Sequence, residues 1–397
     1  MENSIPTDLI VEIVSRLPAK SAARCRCVSK LWRTILRRQE FTDLFLTRSK
    51  ARLRLLLAVK QDGEWGFYST PQPQNPSEKF SLVVAAADFH TKFSKGISKY
   101  NCSYASGLIY FHKMCIPRED EDLKHVICNP LTGQYVILPQ LRRGVSHSYS
   151  YSYLGFDPID KEFKEFKVLF MSTCSYIAYN DTDHYILTLG TGELRWREIK
   201  CPFTHEPLWE RICIDGVLYY SAQVDYDGGR SNVIVCFDVR SEKFKFIAAQ
   251  RYYNHLVNYK GKLGVIKLES AYSCVELSMC VLEDVEKQEW SKHAYTLRPA
   301  SRVVKFSRDR SVVWVTASGE IVLSTDYACY PFYVIYFNPE RNTLQFVEMQ
   351  GVGGANCDCR LYPFVDYVED LSLNDAMLLM PSPLELGRNI VPEMPKP

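Results

Sequence analysis

Two short segments of this chain indicate how most of it folds: Gly216-Val217-Leu218-Tyr219-Tyr220, and Cys236-Phe237-Asp238-Val239-Arg240-Ser241-Glu242. The first is a hydrophobic strand that begins at a glycine. The second is an apolar strand that ends in an aspartate and a polar turn. Glycine and Asp or Asn separate antiparallel strands because they accept the backbone angles of tight turns. The two segments therefore predict hairpins of short strands.

Both kinds of segment recur along the chain. Glycine-led strands also occur at residues 107–111, 261–266 and 319–323, and Asn or Asp turns at 126–133, 156–160, 284–290 and 336–342. The pair returns about every 45 to 60 residues, which suits four-stranded blades around an axis. A β-propeller or a closely similar all-β fold is predicted. A two-sheet sandwich is the alternative, which the large number of short strands makes less favourable.

The length of the chain leaves room for a small domain beside the predicted propeller-like domain. The chain has 397 residues, of which 46% are hydrophobic, 24% charged and 13% aromatic, typical of a globular protein rich in β structure. A net charge of +2 provides no global attraction to nucleic acid or anionic membrane. The longest apolar runs, at 55–59 and 82–87, are too short to span a bilayer. No membrane association is expected.

The 14 cysteines are scattered without a repeated pair spacing. The first residues also lack the basic start and apolar run of a secretory signal. Reduced thiols and a cytoplasmic or nuclear location are therefore expected.

The first 50 residues carry helical periodicity. Apolar side chains at 3.6-residue spacing predict a helix capped by Thr7 and stopped by Pro18, a second capped by Ser21 and running through Cys27, and a third along residues 28–36. About forty residues is near the lower limit for an independent apolar core. The periodicity leaves open whether the rest of the chain or another protein completes this core.

Residues 5–21 (IPTDLIVEIVSRLPAKS) and 24–33 (RCRCVSKLWR), followed by Phe41, resemble the F-box. The resemblance implies a three-helix module that inserts into a Skp-type adaptor, which in turn binds a cullin scaffold. Two positions depart from the family pattern, because Ile5 stands where leucine is usual and Ala22 where a larger aliphatic residue is common. By resemblance, the adaptor would contact Ile5, Pro6, Leu9, Ile10, Ile13, Leu17, Pro18, Val28 and Trp32.

A local excess of positive charge agrees with such a partner. From residue 16 to residue 54 there are twelve Lys and Arg against only Glu40 and Asp43. Skp-type adaptors are acidic, so these cations would steer the encounter. Nucleic acid is not expected as a partner, because the segment lacks a platform of aromatic side chains for stacking bases.

The remainder resembles the F-box-associated domain common in plants. The resemblance rests on residues 129–133 (NPLTG), 155–159 (GFDPI), 187–192 (LTLGTG), 196–197 (WR), 216–220 (GVLYY), 236–242 (CFDVRSE) and 337–341 (FNPER). It implies a β-rich, propeller-like receptor for protein substrates. The resulting α+β prediction is a small three-helix F-box at 1–50, a large all-β propeller-like domain at 51–375, and a Pro-rich tail at 376–397.

No catalytic residue, metal site or cofactor is predicted. Gly190-Thr191-Gly192 lacks the third glycine of a dinucleotide loop, and His205-Glu206-Pro207 lacks the second histidine of a zincin helix. The pairs Cys25/Cys27 and Cys357/Cys359 have no second pair or histidine at ligand spacing. The acidic run at 119–122 is interpreted as a solvated loop tip, with a site for a basic ligand as the alternative.

One segment is a weak candidate for substrate binding. In residues 148–153 serine and tyrosine alternate, so a strand would put Tyr149, Tyr151 and Tyr153 on one face. Tyrosine suits recognition surfaces because it offers a large contact area at low entropic cost. The alternative is that this face packs into the core of a blade.

The predicted function is substrate recognition in an SCF-type (Skp–cullin–F-box) ubiquitin ligase, with catalysis supplied by other subunits through proximity. Two alternatives stay open. One is an F-box protein that binds the adaptor without causing degradation. The other is a propeller enzyme, such as a kelch-type oxidase or a glycan hydrolase, which would require a metal set or paired carboxylates near the axis.

Overall fold

A computed structural model of the chain describes residues 5–73, 80–93, 102–114, 124–141, 148–158, 165–174, 182–190, 194–226, 229–249, 255–270, 274–297, 311–325, 331–352 and 359–371. The predicted tail at 376–397 and the acidic run at 119–122 lie outside these residues.

Four helices come first: α1 (Thr7–Val14), α2 (Ala19–Cys25), α3 (Lys30–Ile35) and α4 (Gln39–Lys50). The sequence predicted three. It missed α4 because the buried apolar side chains of this helix are two phenylalanines, Phe41 and Phe45, on an otherwise largely polar helix.

Several predicted helix ends were wrong. Pro6 and Pro18, rather than Thr7 and Ser21, precede the first turns of α1 and α2, because the fixed φ of proline suits entry into a helix. Before α3, Ser29 Oγ accepts a hydrogen bond from the backbone N–H of Trp32 at 3.1 Å. Val28 therefore lies outside α3.

The strands, in chain order, are β1 (Arg54–Gln61), β2 (Glu64–Pro71), β3 (Phe80–Ala86), β4 (Asp88–Phe93), β5 (Cys102–Ala105), β6 (Leu108–Met114), β7 (Lys124–Cys128), β8 (Tyr135–Ile137), β9 (Ser148–Asp157), β10 (Glu165–Cys174), β11 (Thr182–Thr188), β12 (Arg197–Ile199), β13 (Glu206–Ile214), β14 (Val217–Tyr226), β15 (Gly229–Asp238), β16 (Phe244–Ala248), β17 (His255–Tyr259), β18 (Lys262–Ser270), β19 (Val275–Asp284), β20 (Glu289–Leu297), β21 (Ser311–Val315), β22 (Ile321–Thr325), β23 (Tyr333–Asn338), β24 (Thr343–Gln350) and β25 (Arg360–Tyr367).

These strands form six blades of a β-propeller, which confirms the predicted fold class. In strand order the blades are β25-β1-β2-β4 (blade 1), β5-β6-β7-β8 (blade 2), β9-β10-β11-β12 (blade 3), β13-β14-β15-β16 (blade 4), β17-β18-β19-β20 (blade 5) and β21-β22-β23-β24 (blade 6). The first strand of each blade in this order contacts its counterpart in the next blade, so these six strands line the axis.

The ring closes through the two ends of the propeller sequence. The last strand, β25, pairs antiparallel with β1, in a register that sets Lys60 opposite Arg360. Blade 1 is therefore built from distant parts of the chain. Blade 6 carries an additional outer strand, because β3 pairs parallel with β24.

The repeated glycine marks the turn between the first and second strands of a blade. At Asp215 and Gly216, between β13 and β14, φ is 43° and 83°, which is typical of a type I′ turn. A Cβ on Gly216 would lie 2.9 Å from Asp157 Oδ1, so glycine is required for space as well. The same two-residue turn with positive φ occurs at 106–107 in blade 2 and 260–261 in blade 5, and at 62–63 it joins the second and third strands of blade 1.

The repeated Asn or Asp marks the turn between the third and fourth strands. Asp238 Oδ1 accepts a hydrogen bond from the backbone N–H of Ser241 at 2.6 Å, which holds the chain in a compact turn. Asn129, Asp284 and Asn338 accept equivalent bonds in blades 2, 5 and 6. The two repeated sequence patterns are thus the two tight turns of blades 2, 4, 5 and 6, whereas Asp157 of the predicted turn at 156–160 ends β9, the first strand of blade 3.

Candidate functional site

One face of the helical unit is packed against the propeller. Its buried side chains are Ile10, Val14, Ala19, Ala22, Ile35, Leu36, Phe41 and Phe45. Two propeller side chains, Leu131 and Leu371, complete this cluster. The apolar core that the helices cannot fill alone is therefore filled partly by the same chain.

Hydrogen bonds fix the helices on the propeller. The backbone N–H of Ala19, at the start of α2, donates to Glu369 Oε2 at 3.0 Å, and Lys20 Nζ donates to Phe89 O at 2.8 Å. Burial of the Glu369 carboxyl raises its pKa. Within the unit, Arg48 on α4 contacts Glu12 on α1 at 2.6 Å. The helices and the propeller are joined by specific polar contacts as well as apolar ones.

The other face of the helices exposes large apolar side chains. Ile5, Leu9, Ile13, Val28 and Leu31, here called the apolar helix patch, are between 51% and 64% exposed. Leu9 and Ile13 are one turn apart on α1, so these two side chains face one side of that helix. Ile5 and Val28 lie just before α1 and α3, and Leu31 lies on α3, which contacts α1. Five exposed residues of this kind indicate an interaction surface.

Of the nine residues predicted to contact an adaptor, six are exposed and three are partly or fully buried. Ile5, Pro6, Leu9, Ile13, Pro18 and Val28 are exposed. Ile10 is 2% exposed, and Leu17 and Trp32 pack against the core of the helical unit. Ile10 therefore belongs to the core of the helical unit, whereas Leu17 and Trp32 are partly buried, and their contact with an adaptor stays a prediction. Leu31 was missed, although its position three residues after Val28 was a usable signal.

The helical unit that carries this patch also exposes positive charge. The cations on α2 and α3 that are exposed are Arg24, Lys30 and Arg33, and Arg37 and Arg38 follow α3 on the surface. The helical unit thus carries exposed cations as well as the apolar helix patch, and this combination favours a partner with an apolar surface and acidic groups.

The tyrosines of β9 take different positions. Tyr153 is 3% exposed, its ring packs against Tyr220 of blade 4, and its hydroxyl donates to Leu208 O at 2.5 Å. It belongs to the core between blades, as the alternative interpretation held. Tyr151 is half-buried against Trp209, with ring centroids 5.6 Å apart. The side chain of Tyr149 lies outside the described residues.

An aromatic and cationic group lies among the axis-lining strands. Trp209 on β13 is 54% exposed. Two residues further on, Arg211 passes over the ring of Tyr153 and donates to Ser103 Oγ at 3.0 Å and Cys102 O at 2.8 Å. It thus joins blade 4 to blade 2 across the strand of blade 3. The exposed Trp209 beside Tyr151 offers an aromatic surface for a ligand of the propeller.

Two buried carboxyl groups bear on the enzyme alternative. The pKa of Glu320 and the pKa of Asp366 are both raised by burial. Asp366 accepts hydrogen bonds from Gln72 Nε2 at 3.0 Å and from the backbone N–H of Ala317 at 2.6 Å. Both of its oxygens therefore hold neighbouring segments of the propeller together, which is a structural role.

One cluster has the composition of a metal site. His184, Cys201 and His205 each bring a ligand atom within 4.8 Å of the other two. The sequence analysis did not single out this cluster, because the three residues come from a strand and from the connection to the next blade. The spacing of Cys201 and His205, four positions apart, was the available signal. Burial raises the pKa of Cys201 to about 11, so the free thiol is not an activated nucleophile.

Comparison with known proteins agrees with both parts of the chain. A profile of the F-box domain matches residues 3–44, and a profile of the F-box associated beta propeller domain matches residues 54–368. F-box only protein 12 of Arabidopsis thaliana is 59% identical over 392 residues, covering 97% of this chain and 86% of that protein. A second Arabidopsis F-box protein is 59% identical over 395 residues, covering 96% of this chain and 98% of that protein.

Solved structures are more distant. TolB from Acinetobacter baumannii aligns over 79% of this chain and 66% of that chain, with a TM-score of 0.42 and 10% identity. A similarity this weak carries no argument about fold or function. In the described part of the chain, no helix is both long and apolar enough to cross a membrane.

Proposed function

This chain belongs to the F-box proteins that carry an F-box associated beta propeller domain, and from that premise we propose that it is the substrate-recognition subunit of an SCF-type ubiquitin ligase. In this proposal residues 1–50 bind a Skp-type adaptor, and through it a cullin. Residues 51–375 bind the protein to be ubiquitinated, and residues 376–397 are a tail.

The apolar helix patch is the observation that carries the proposal. The helices already have a buried face, which the propeller helps to cover through Leu131 and Leu371. The patch lies outside that core and remains exposed. Exposed apolar side chains at the centre of an interface supply most of its binding free energy. An adaptor with an apolar groove and acidic groups fits both the patch and the exposed cations of the helical unit.

The attachment of the helices supports the mechanism. Ubiquitin transfer by a neighbouring enzyme depends on effective concentration and orientation, not on residues of this chain. A contact such as Ala19 N–H to Glu369 keeps the propeller in a constant orientation relative to the adaptor. We propose the surface around Trp209 and Tyr151 as the region that meets the substrate. Such a subunit would act in the cytoplasm or nucleus.

The test measures adaptor binding by the purified full-length chain. We expect the double variant Leu9→Ala, Val28→Ala to bind the Skp-type adaptor at least about 30-fold more weakly, or about 2 kcal/mol, as for two interface anchors. The matched control is Leu82→Ala, Val84→Ala, which removes one leucine and one valine of similar exposure from β3. Unchanged binding by the first variant would contradict the proposal.

A second experiment separates degradation from scaffolding. Proteins captured through the propeller should accumulate when the chain is depleted and decline when it is restored. Restoration with Leu9→Ala, Val28→Ala should leave them high, because the target would be bound but not delivered. If target abundance is independent of the chain, the F-box protein acts as a scaffold.

A further inference from the structure

We propose that His184, Cys201 and His205 form a binding site for one zinc ion at the connection between blades 3 and 4. His184 lies on β11, in blade 3. Cys201 lies in the segment that leaves β12, and His205 ends that segment just before β13 of blade 4. The ion would therefore cross-link a strand of one blade to the chain that leads into the next.

The side chains are already gathered in the interior. His184 and His205 are each 2% exposed, and their ring centroids are 5.1 Å apart. Cys201 Sγ lies 3.8 Å from His205 Nδ1 and is half-buried, which provides a path from solvent. Zinc bonds of about 2.0–2.3 Å place tetrahedral ligand atoms roughly 3.3–3.7 Å apart. Closing the cluster thus requires a movement on the order of 1 Å.

His184 has a buried nitrogen available for coordination. Its Nδ1 lies 3.0 Å from Thr182 O, and a carbonyl only accepts, so Nδ1 carries the proton. Its Nε2 then carries an unshared electron pair that can bind a metal. This atom is buried and has no hydrogen-bond partner among the described residues. A metal ligand in proteins is commonly a histidine whose other nitrogen donates to a carbonyl. A bound ion would satisfy a polar atom that otherwise lacks a partner.

His205 can coordinate without turning its ring. Its Nδ1 faces Cys201 Sγ and lies 3.0 Å from Phe203 O, and its Nε2 lies 2.8 Å from the hydroxyl of Tyr220. By the same rule, His205 Nδ1 carries the ring proton before the ion binds and donates it to Phe203 O. Coordination through Nδ1 therefore gives up this hydrogen bond and moves the proton to Nε2, where it donates to Tyr220 Oη. Cys201 coordinates as the thiolate, so its thiol proton passes to solvent and one proton is released for each ion bound.

The types of ligand atom indicate which metal the site would bind. Two imidazole nitrogens and one thiolate suit zinc, whereas calcium and magnesium require oxygen ligands. Three protein ligands leave the fourth tetrahedral position for water or for the nearby carbonyl of Phe203. Because the ligands join blade 3 to the entry of blade 4, the expected effect is structural: the ion holds this inter-blade connection in place.

The test uses the full-length chain, stripped of metal with a chelator and then dialysed against Zn²⁺. We expect one zinc per chain by elemental mass spectrometry. Cys201→Ser and His184→Ala should each lower zinc affinity by at least about 100-fold, and Tyr220→Phe by about 10- to 100-fold as an outer partner of a ligand. The matched control, Cys274→Ser, removes another half-buried loop cysteine and should keep wild-type affinity.

Two further readouts identify the ligands. Co²⁺ in place of zinc should give a thiolate charge-transfer band that is absent in Cys201→Ser. Zinc should raise the melting temperature of wild type and of Cys274→Ser but not of Cys201→Ser. Cys201→Ser is nearly isosteric, so it decides the question even if His184→Ala fails to fold. No bound zinc in wild type, or zinc binding unchanged in Cys201→Ser, would overturn the proposal.

Discussion

Glu369 Oε2 accepts a hydrogen bond from the backbone N–H of Ala19 at 3.0 Å, which joins residues 350 positions apart in the sequence. Ala19 begins α2, and the first N–H groups of a helix have no partner within the helix. Glu369 lies just after β25, the strand that closes the propeller. The last strand of the ring and the second helix of the F-box are thereby connected.

Removing this carboxyl group should loosen the F-box without unfolding the propeller. We expect Glu369→Ala to lower the stability of the helical unit by about 1 kcal/mol, as for loss of a helix cap. Amide exchange in residues 19–25 should become faster, while exchange in β15 stays the same. Glu369→Gln keeps an oxygen acceptor and should behave nearly as wild type. Equal exchange in all three proteins would show that Glu369 does not hold α2.

Two adjacent residues of α1 should separate folding from binding. Ile10 is 2% exposed and Leu9 is 51% exposed. Ile10→Ala should destabilise the helical unit by about 2–5 kcal/mol, because it leaves a cavity in a shared core. Leu9→Ala should change stability by less than about 0.5 kcal/mol and still weaken adaptor binding. Denaturant unfolding and adaptor titration of both variants would test this, and a destabilised Leu9→Ala would count against it.

A buried lysine should be important for the contact between blades 3 and 4. Lys167 on β10 is 5% exposed, and its Nζ donates to Val239 O and to Glu242 Oε1, both at 2.8 Å. Lys167→Met should cost about 3 kcal/mol, because it leaves a partly buried carboxylate with fewer partners. Lys262→Met breaks an exposed pair with Glu283 and should change the free energy of unfolding by less than about 0.5 kcal/mol.

Acid should weaken the protein partly through His90. Burial, followed by the nearby charges of Arg54 and Lys20, lowers the pKa of His90 from 6.5 to about 4. A histidine with a lowered pKa in the folded state stabilises above pH 6.5, and this contribution is lost as the pH falls towards 4. At pH 4.5 the loss should be about 2–3 kcal/mol.

The variant His90→Gln isolates this contribution. Its amide oxygen can still accept from Ser69 Oγ, which lies 2.7 Å from His90 Nε2. The free energy of unfolding should therefore fall less between pH 7 and pH 4.5 in His90→Gln than in wild type. His293→Gln, at an exposed position, should follow the wild-type profile. Parallel profiles for wild type and His90→Gln would contradict the assignment.

Truncation should show that β25 is required for the propeller. A chain that ends before Arg360 lacks the axis-lining strand of blade 1, which pairs with β1. We expect it to lose cooperative unfolding and soluble expression, because β1 and its neighbours would be left with an unpaired edge. A chain that ends at residue 375 should melt as wild type does, in agreement with the proposed domain limits.

Much of the propeller could be predicted because its repeated features are local. The turn at Gly216 depends on two successive residues with positive φ, and the turn at Asp238 on a side chain bonded three residues ahead. Such turns leave a period in the sequence. The stripe of apolar residues on α1 was visible for the same reason, since helical spacing is local.

Tertiary packing decided the rest. Leu9 and Ile10 are both large, aliphatic and adjacent, and the packing of the other helices and of two propeller leucines makes Ile10 core and leaves Leu9 on the surface. Likewise His184 and His205 meet because β11 and the chain entering β13 adjoin, and Ala19 meets Glu369 because β25 closes the ring. Burial and long-range contacts are properties of how the elements are arranged, whereas the sequence alone determined the repeated tight turns and the apolar stripe of α1, which depend on neighbouring residues.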